Sequence, residues 1–203
     1  MDIIEQKPQW GINYREGYDG FVTRRRDFIA AGIEWFERWD ELPGLPPVTH
    51  TFKIIEENKT IEALADGVRF GNIDDYLKDP DGALLVRKPA GWTAGMGFRM
   101  SVEAHQYLGE RYNYILIAAM AVSNTYFGRH IDNWTHGKFS LWLEGVADRK
   151  KTDICSSLIA RVDGAMPELK GKSVLALPPF KIMPVMLFGD PVIYTDGAIE
   201  LIP

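Results

Sequence analysis

The chain contains a single cysteine, Cys155, and four histidines, and these are its side chains best suited to nucleophilic chemistry. Leu158, Ile159 and Val162 follow the cysteine at helical spacing, which predicts a helix from Cys155 to about Gly164. A thiol at a helix start faces unpaired backbone N–H groups and the positive end of the helix dipole, and both favour the thiolate. We therefore interpret Cys155 as a candidate nucleophile.

A cysteine nucleophile needs a base, and His50 is the histidine that fits this role best. It lies on a predicted strand, residues 48–55, and shares a face with apolar residues such as Phe52. Such a position requires a polar partner for the ring. A core histidine that is satisfied by a backbone carbonyl is the alternative. His105 lies in a helical pattern, and we interpret it as a surface or helix-capping residue.

Glu62 is the candidate partner of His50. It lies on the next predicted strand, residues 60–64, which forms an antiparallel hairpin with the first. If position 50 pairs with 62 or 64, the two side chains are direct or diagonal neighbours, about 4.5–8 Å apart at Cβ. A one-residue slip would separate them and leave Glu62 an exposed strand residue. In the expected register the carboxylate orients the imidazole and favours its protonated form, and the other ring nitrogen takes the thiol proton.

His130, Asp132 and His136 have residue types that bind metals, and a metalloenzyme is an alternative. They lie in a stretch of little periodicity, residues 128–150, so we interpret them as solvated loop residues. A single cysteine excludes a multi-cysteine zinc site and an internal disulfide. We therefore predict neither a metal site nor a cofactor.

The elements that would position these residues indicate an α+β fold in one domain, residues 1–203. Strands and helices are partly segregated, and the strands form local hairpins. In addition to the elements above, the pattern predicts an irregular arm (about 1–18), helices (21–39, 73–77, 101–108, 114–127 and about 140–146), strands (67–70 and 83–87), a loop (89–97) and a closing hairpin (192–202).

Composition narrows the functional classes. The net charge of −5 does not favour a nucleic-acid partner, and acidic residues follow the basic cluster at residues 24–26. The N-terminus lacks a basic region followed by a long apolar one, so we expect no signal peptide. The longest apolar run, residues 114–122, is too short to cross a bilayer. We expect a cytoplasmic protein by default, with a phage or virion protein as the alternative, and leave the oligomeric state open.

Several short motifs, in this order, resemble the circularly permuted branch of the papain-like hydrolases. This branch belongs to the NlpC-type superfamily and includes YiiX- and YaeF-like bacterial proteins and, more distantly, lecithin:retinol acyltransferase. In it, a Ser-His pair opens a strand, a Glu-Ala pair follows on the next, and a Cys-Ser pair begins a helix far downstream. The matching stretches here are Asp19–Arg24, Trp35–Arg38, Val48–Ile55, Ile61–Ala63, Gly67–Val68, Asp75–Leu77 and Ile154–Ile159.

The resemblance implies Cys155 as nucleophile, His50 as base and Glu62 as the residue that orients the base. It also implies an oxyanion site at the backbone N–H of Cys155 and a small antiparallel sheet packed against the helix of Cys155. The chain departs from the pattern at Thr49, which replaces the usual serine. It departs again at Ser157, which stands where many relatives have glutamate, so any role of that glutamate is predicted to be lost.

The sequence therefore predicts a cysteine hydrolase or acyltransferase that acts on an amide, ester or thioester through an acyl-enzyme on Cys155. The resemblance suggests cell-wall peptides or lipid acyl groups as substrates. A catalytically silent papain-like module with a structural or binding role, for example in a phage particle, is the alternative. Burial of Cys155 more than about 7 Å from the His50 ring would favour that alternative.

Overall fold

The computed structural model describes residues 2–23, 45–79, 82–112 and 152–202. Within these ranges there are nine strands and four α-helices. The strands are β1 (Ile3–Gln6), β2 (Asp19–Thr23), β3 (Val48–Glu56), β4 (Lys59–Leu64), β5 (Gly67–Asn72), β6 (Ala83–Arg87), β7 (Arg111–Tyr112), β8 (Thr152–Asp153) and β9 (Ala198–Leu201). The α-helices are α1 (Ile73–Leu77), α2 (Ala94–His105), α3 (Cys155–Gly164) and α4 (Pro184–Phe188).

Seven of the strands form one mixed sheet in the order β1-β9-β6-β2-β3-β4-β5. β1 and β9 are parallel, and the other neighbouring pairs are antiparallel. Apolar side chains cover both faces. Leu158 and Val162 of α3 pack with Ile61 in one core cluster, whereas Phe52 and Tyr76 belong to a second cluster. The strand β3 therefore lies between two cores, and it can present polar groups to either side.

The local predictions around the hairpin are confirmed. Strands β3, β4 and β5 cover the predicted segments, and helix α1 and strand β6 have the predicted bounds. The turn between β3 and β4 contains Asn58 with a φ of 58°, a left-handed conformation that asparagine tolerates. Phe52 pairs with Glu62, so His50 is a diagonal neighbour of Glu62, within the expected register.

Several other predictions are wrong. The mixed sheet is larger than the small antiparallel sheet expected, and the arm predicted as irregular contributes β1 to it. Phe21, where the first helix was expected to begin, lies in β2. Helix α2 begins inside the predicted loop, because the Thr93 side chain accepts a hydrogen bond from the Met96 N–H and caps it.

The predicted closing hairpin lacks its first strand. The carboxylate of Asp190 accepts hydrogen bonds from the N–H groups of Val192 and Ile193, which hold this stretch in a turn. β9 instead pairs with β1 and β6. The predicted helix at 114–127 and the segment at 128–150 lie outside the described residues, as does the first predicted helix beyond residue 23. No helix in the described ranges is long and apolar enough to cross a membrane.

Candidate active site

Cys155 is the first residue of α3, as predicted. The residue before it, Ile154, has an extended conformation with φ −107° and ψ 164°, so the helix begins abruptly at the cysteine. The Ser157 Oγ accepts a hydrogen bond from the Ile154 N–H at 2.9 Å. A glutamate at the third position of a helix makes this same bond in a capping box. Ser157 therefore caps the start of α3 from the position where many relatives have glutamate.

The first turn of α3 is fixed inside the protein. The Ser156 Oγ donates to the carbonyl of Ile182 at 2.5 Å, and its side chain is fully buried. Cys155 itself is 2% exposed. Its backbone N–H belongs to the first turn, where N–H groups have no acceptor within the helix. The thiol thus lies beside a polar backbone group in an enclosed setting.

His50 is held between two partners. Its Nε2 lies 2.9 Å from Oε2 of Glu62, and both side chains are buried. Cys155 lies on the other side of the ring, close enough to help raise the pKa of His50. Because Glu62 engages Nε2, the other ring nitrogen, Nδ1, is the one available to the thiol. The structure therefore brings the three predicted residues together: His50 contacts Glu62 at 2.9 Å and has Cys155 beside it.

The two partners also determine the protonation of His50. Burial is the largest single influence and lowers the pKa of His50. The hydrogen bonds and charges of Cys155 and Glu62 together outweigh burial and raise this pKa to about 9. The imidazole therefore retains its proton at neutral pH. An imidazolium next to a cysteine side chain is the arrangement that stabilises a thiolate.

Tyr76, a residue to which the sequence assigned no role, holds Glu62 in place. Its hydroxyl donates a hydrogen bond to Oε2, the same oxygen that faces His50. The Tyr76 ring stacks on His50 at 5.9 Å and on Phe52 at 4.9 Å between ring centroids. Helix α1 follows β5 directly and brings Tyr76 over this face of the sheet. The orientation of the base thus depends on a hairpin and on the short helix after it.

Gly71 leaves room for the Glu62 carboxylate. A Cβ atom at this position would lie 2.1 Å from Oε1 of Glu62 and 2.6 Å from Oγ1 of Thr60. Both distances are far below van der Waals contact. Since His50 and Tyr76 hold the other carboxylate oxygen, the Glu62 side chain has little freedom to move away.

We expect Gly71→Ala to displace the Glu62 carboxylate and lower activity by about 10–100-fold, as small misplacements of catalytic groups do. Overpacking of this kind costs roughly 1–3 kcal/mol of stability. The matched control is Gly95→Ala in α2, where the nearest atoms lie 4.0 Å from the added Cβ. Initial rates and thermal melting of both variants are the measurements. Full activity in Gly71→Ala would contradict the importance of the Glu62 position.

Among the described residues, no cluster of three or more histidine, cysteine, aspartate or glutamate side chains could hold a metal ion. The alternative metal ligands, His130, Asp132 and His136, lie outside the described residues. His105, interpreted as a surface or capping residue, is near the end of α2, and its Nδ1 lies 2.7 Å from the carbonyl oxygen of Ser101.

Comparisons with known proteins do not assign the chain to a family. No protein-family model matches it, and no curated protein sequence is significantly similar to it. The functional argument therefore depends on the site itself.

Proposed function

We propose that the protein is a cysteine hydrolase or acyltransferase that forms an acyl-enzyme on Cys155. The observation that carries the proposal is that the buried His50 ring is hydrogen-bonded to Glu62 and has Cys155 close enough beside it to raise its pKa. A nucleophile, a base and a carboxylate that orients the base, linked in this way, form the arrangement used for acyl transfer. His50 and Cys155 are the catalytic residues in this account, and Glu62 is a positioning residue.

In the proposed resting state the thiol proton already resides on His50, so a thiolate lies beside an imidazolium. The thiolate attacks the carbonyl carbon of an amide, ester or thioester, and a C–S bond forms. The negative charge moves to the carbonyl oxygen, which the backbone N–H of Cys155 stabilises. The tetrahedral intermediate collapses, the bond to the leaving group breaks, and His50 gives its proton to that group. Water or another acceptor, deprotonated by His50, then releases the acyl group.

We also propose that the domain is a permuted papain-like fold. The order along the chain is base, orienting residue and nucleophile, with His50 and Glu62 on a hairpin and Cys155 at the start of a helix. Helix α3 packs on β3, the strand that carries His50. These features support the resemblance stated above. The proposed substrates are the peptide or lipid-acyl groups that the same resemblance suggests.

The burial of Cys155 favours a second candidate, a catalytically silent module with a structural or binding role. At 2% exposure the thiol meets one of the two conditions for that alternative. The distance condition is not met, because Cys155 lies close enough to the His50 ring to raise its pKa. A silent module also has no need for a buried carboxylate next to a buried imidazole, which burial alone disfavours.

Trapping of the acyl-enzyme tests the proposal. The protein is incubated with small activated esters and thioesters of peptide-like and fatty acyl groups, quenched in acid and analysed by peptide mass spectrometry. We expect one acyl group on the peptide that contains Cys155, which disappears as hydrolysis or transfer proceeds. Failure of every small activated acyl donor to modify Cys155, with folded protein at neutral pH, would favour the silent module.

A further inference from the structure

A second buried charged cluster lies near the candidate site, and the proposed reaction does not use it. Lys53, Asp19 and Asp163 have no solvent exposure. Lys53 Nζ lies 2.5 Å from Oδ1 of Asp19 and 2.5 Å from Oδ1 of Asp163. The Tyr194 hydroxyl donates to Oδ2 of Asp19 at 2.9 Å. A fully enclosed cluster is not accessible to a substrate, so its role must be exerted through the elements that it joins.

The elements that this cluster joins are those of the candidate site. Lys53 is on β3, three residues after His50, and Asp163 is on α3, eight residues after Cys155. Helix α3 and strand β3 thus meet at two places, Cys155 with His50 and Asp163 with Lys53. These places are about 12 Å apart along the helix and about 10 Å apart along the strand. Two separated contacts fix both the translation and the rotation of a helix on a strand. The cluster supplies one of them, and the Cys155–His50 contact is the other.

The contact between Lys53 and Asp163 depends closely on the placement of α3, because it joins buried charges. One lysine faces two carboxylates in a fully buried setting. Burial, together with the neighbouring Asp163, raises the pKa of Asp19 to about 8, and burial raises that of Asp163. The cluster tolerates little displacement, because any shift of α3 would leave a buried charge without its partner.

We propose that Lys53, Asp19 and Asp163 are positioning residues that set the placement of helix α3 on strand β3, and thereby the contact between Cys155 and His50. This inference rests on the proposed function, because the contact that it sets is the proposed nucleophile–base pair. The cluster also reaches β2 through Asp19 and the segment before β9 through Tyr194. It thus connects the helix of the nucleophile to the centre of the sheet.

Alkylation of Cys155 by iodoacetamide between pH 5 and 10 is the test, because it needs no knowledge of the substrate. The variants are Asp163→Asn and the charge-free triple variant Asp19→Asn, Lys53→Met, Asp163→Asn. Replacement of a whole buried ionic cluster by neutral residues often preserves folding, even where removal of one partner does not. Asp190→Asn is the matched control, since this buried aspartate holds the turn at Val192 and not α3.

We expect the triple variant to fold and to alkylate at pH 6 at least about tenfold more slowly than the wild type, with a profile shifted toward that of a free thiol. Asp190→Asn is expected to melt at a lower temperature but to retain the wild-type alkylation profile. This control shows that a loss of stability alone does not change the profile. A folded triple variant with the wild-type profile would overturn the inference. A triple variant that does not fold would also overturn it, because the cluster would then serve the whole fold.

The alkylation profile of the wild-type protein separates this inference from the proposed function. If wild-type Cys155 alkylates with the pH dependence of a free thiol, the proposed nucleophile–base pair fails and the positioning role fails with it. If the wild type is activated at pH 6 and the triple variant is equally activated, only the positioning role fails.

Discussion

Replacement of Cys155 by serine is expected to lower turnover by roughly 10⁴–10⁶-fold, the range seen when a covalent nucleophile is removed. Serine preserves the size of the side chain but is a far weaker nucleophile beside an imidazole that retains its proton. Cys155 is also among the influences that raise the pKa of His50. Steady-state rates with the acyl donor that modifies the wild type, and the mass of the Cys155 peptide, are the measurements.

The fold should survive this change. The first turn of α3 is held by Ser156 and Ser157, whose hydrogen bonds to Ile182 and Ile154 do not involve the cysteine. We therefore expect a melting temperature close to that of the wild type. A loss of activity at an unchanged melting temperature is then due to the missing nucleophile and not to unfolding. More than about a tenth of wild-type turnover in a folded Cys155→Ser protein would mean that another group is the nucleophile.

Glu62→Gln is expected to lower kcat/KM by about 10²–10⁴-fold, although the amide has almost the shape of the carboxylate. The carbonyl oxygen of the amide can still accept from Nε2 and from the Tyr76 hydroxyl, but the amide carries no charge to stabilise the His50 imidazolium. The matched control is Glu56→Gln at the end of β3, whose side chain is 62% exposed and pairs with Lys59 at 3.4 Å. Activity unchanged in Glu62→Gln would remove the carboxylate from the account.

Glu62→Gln should also change how kcat/KM and stability depend on pH. In the wild type the pKa of His50 is raised from 6.5 to about 9, so kcat/KM should fall on the alkaline side near pH 9 as the imidazolium is lost. Loss of the Glu62 charge lowers this pKa, and the alkaline limb should move to lower pH. A raised histidine pKa contributes stability that is complete below 6.5 and is lost as the pH rises through 9. The free energy of unfolding should therefore decrease over this window, and by less in Glu62→Gln.

The sequence was sufficient for the parts of the site that local rules determine. Alternation of period two placed His50 on a strand, the turn at Asn58 fixed the hairpin, and helical spacing placed Cys155 at the start of a helix. The pairing of Phe52 with Glu62 then made His50 and Glu62 neighbours. The positions on strand and helix followed from pattern, whereas the register of the hairpin was an assumption that the structure supplies.

The remaining parts of the site depend on contacts between distant residues. Lys53 and Asp163 are 110 residues apart, and β1 pairs with β9 from the opposite end of the chain. The alternating pattern placed Lys53 on the polar side of its strand, whereas the structure buries both faces of the strand and supplies the lysine with two acidic partners. The role of Tyr76 likewise depends on how α1 folds back over the sheet, which no local periodicity determines.

The pH dependence of Cys155 alkylation by iodoacetamide tests the central claim most directly, with His50→Ala as the comparison. A free thiol loses more than about 100-fold in alkylation rate from pH 9 to pH 6, because its thiolate fraction falls. We predict that Cys155 in the wild type retains its rate at pH 6 to within about tenfold of that at pH 9, and that His50→Ala restores the steep dependence. A wild-type profile as steep as that of a free thiol, or one unchanged by His50→Ala, would contradict the nucleophile–base pair.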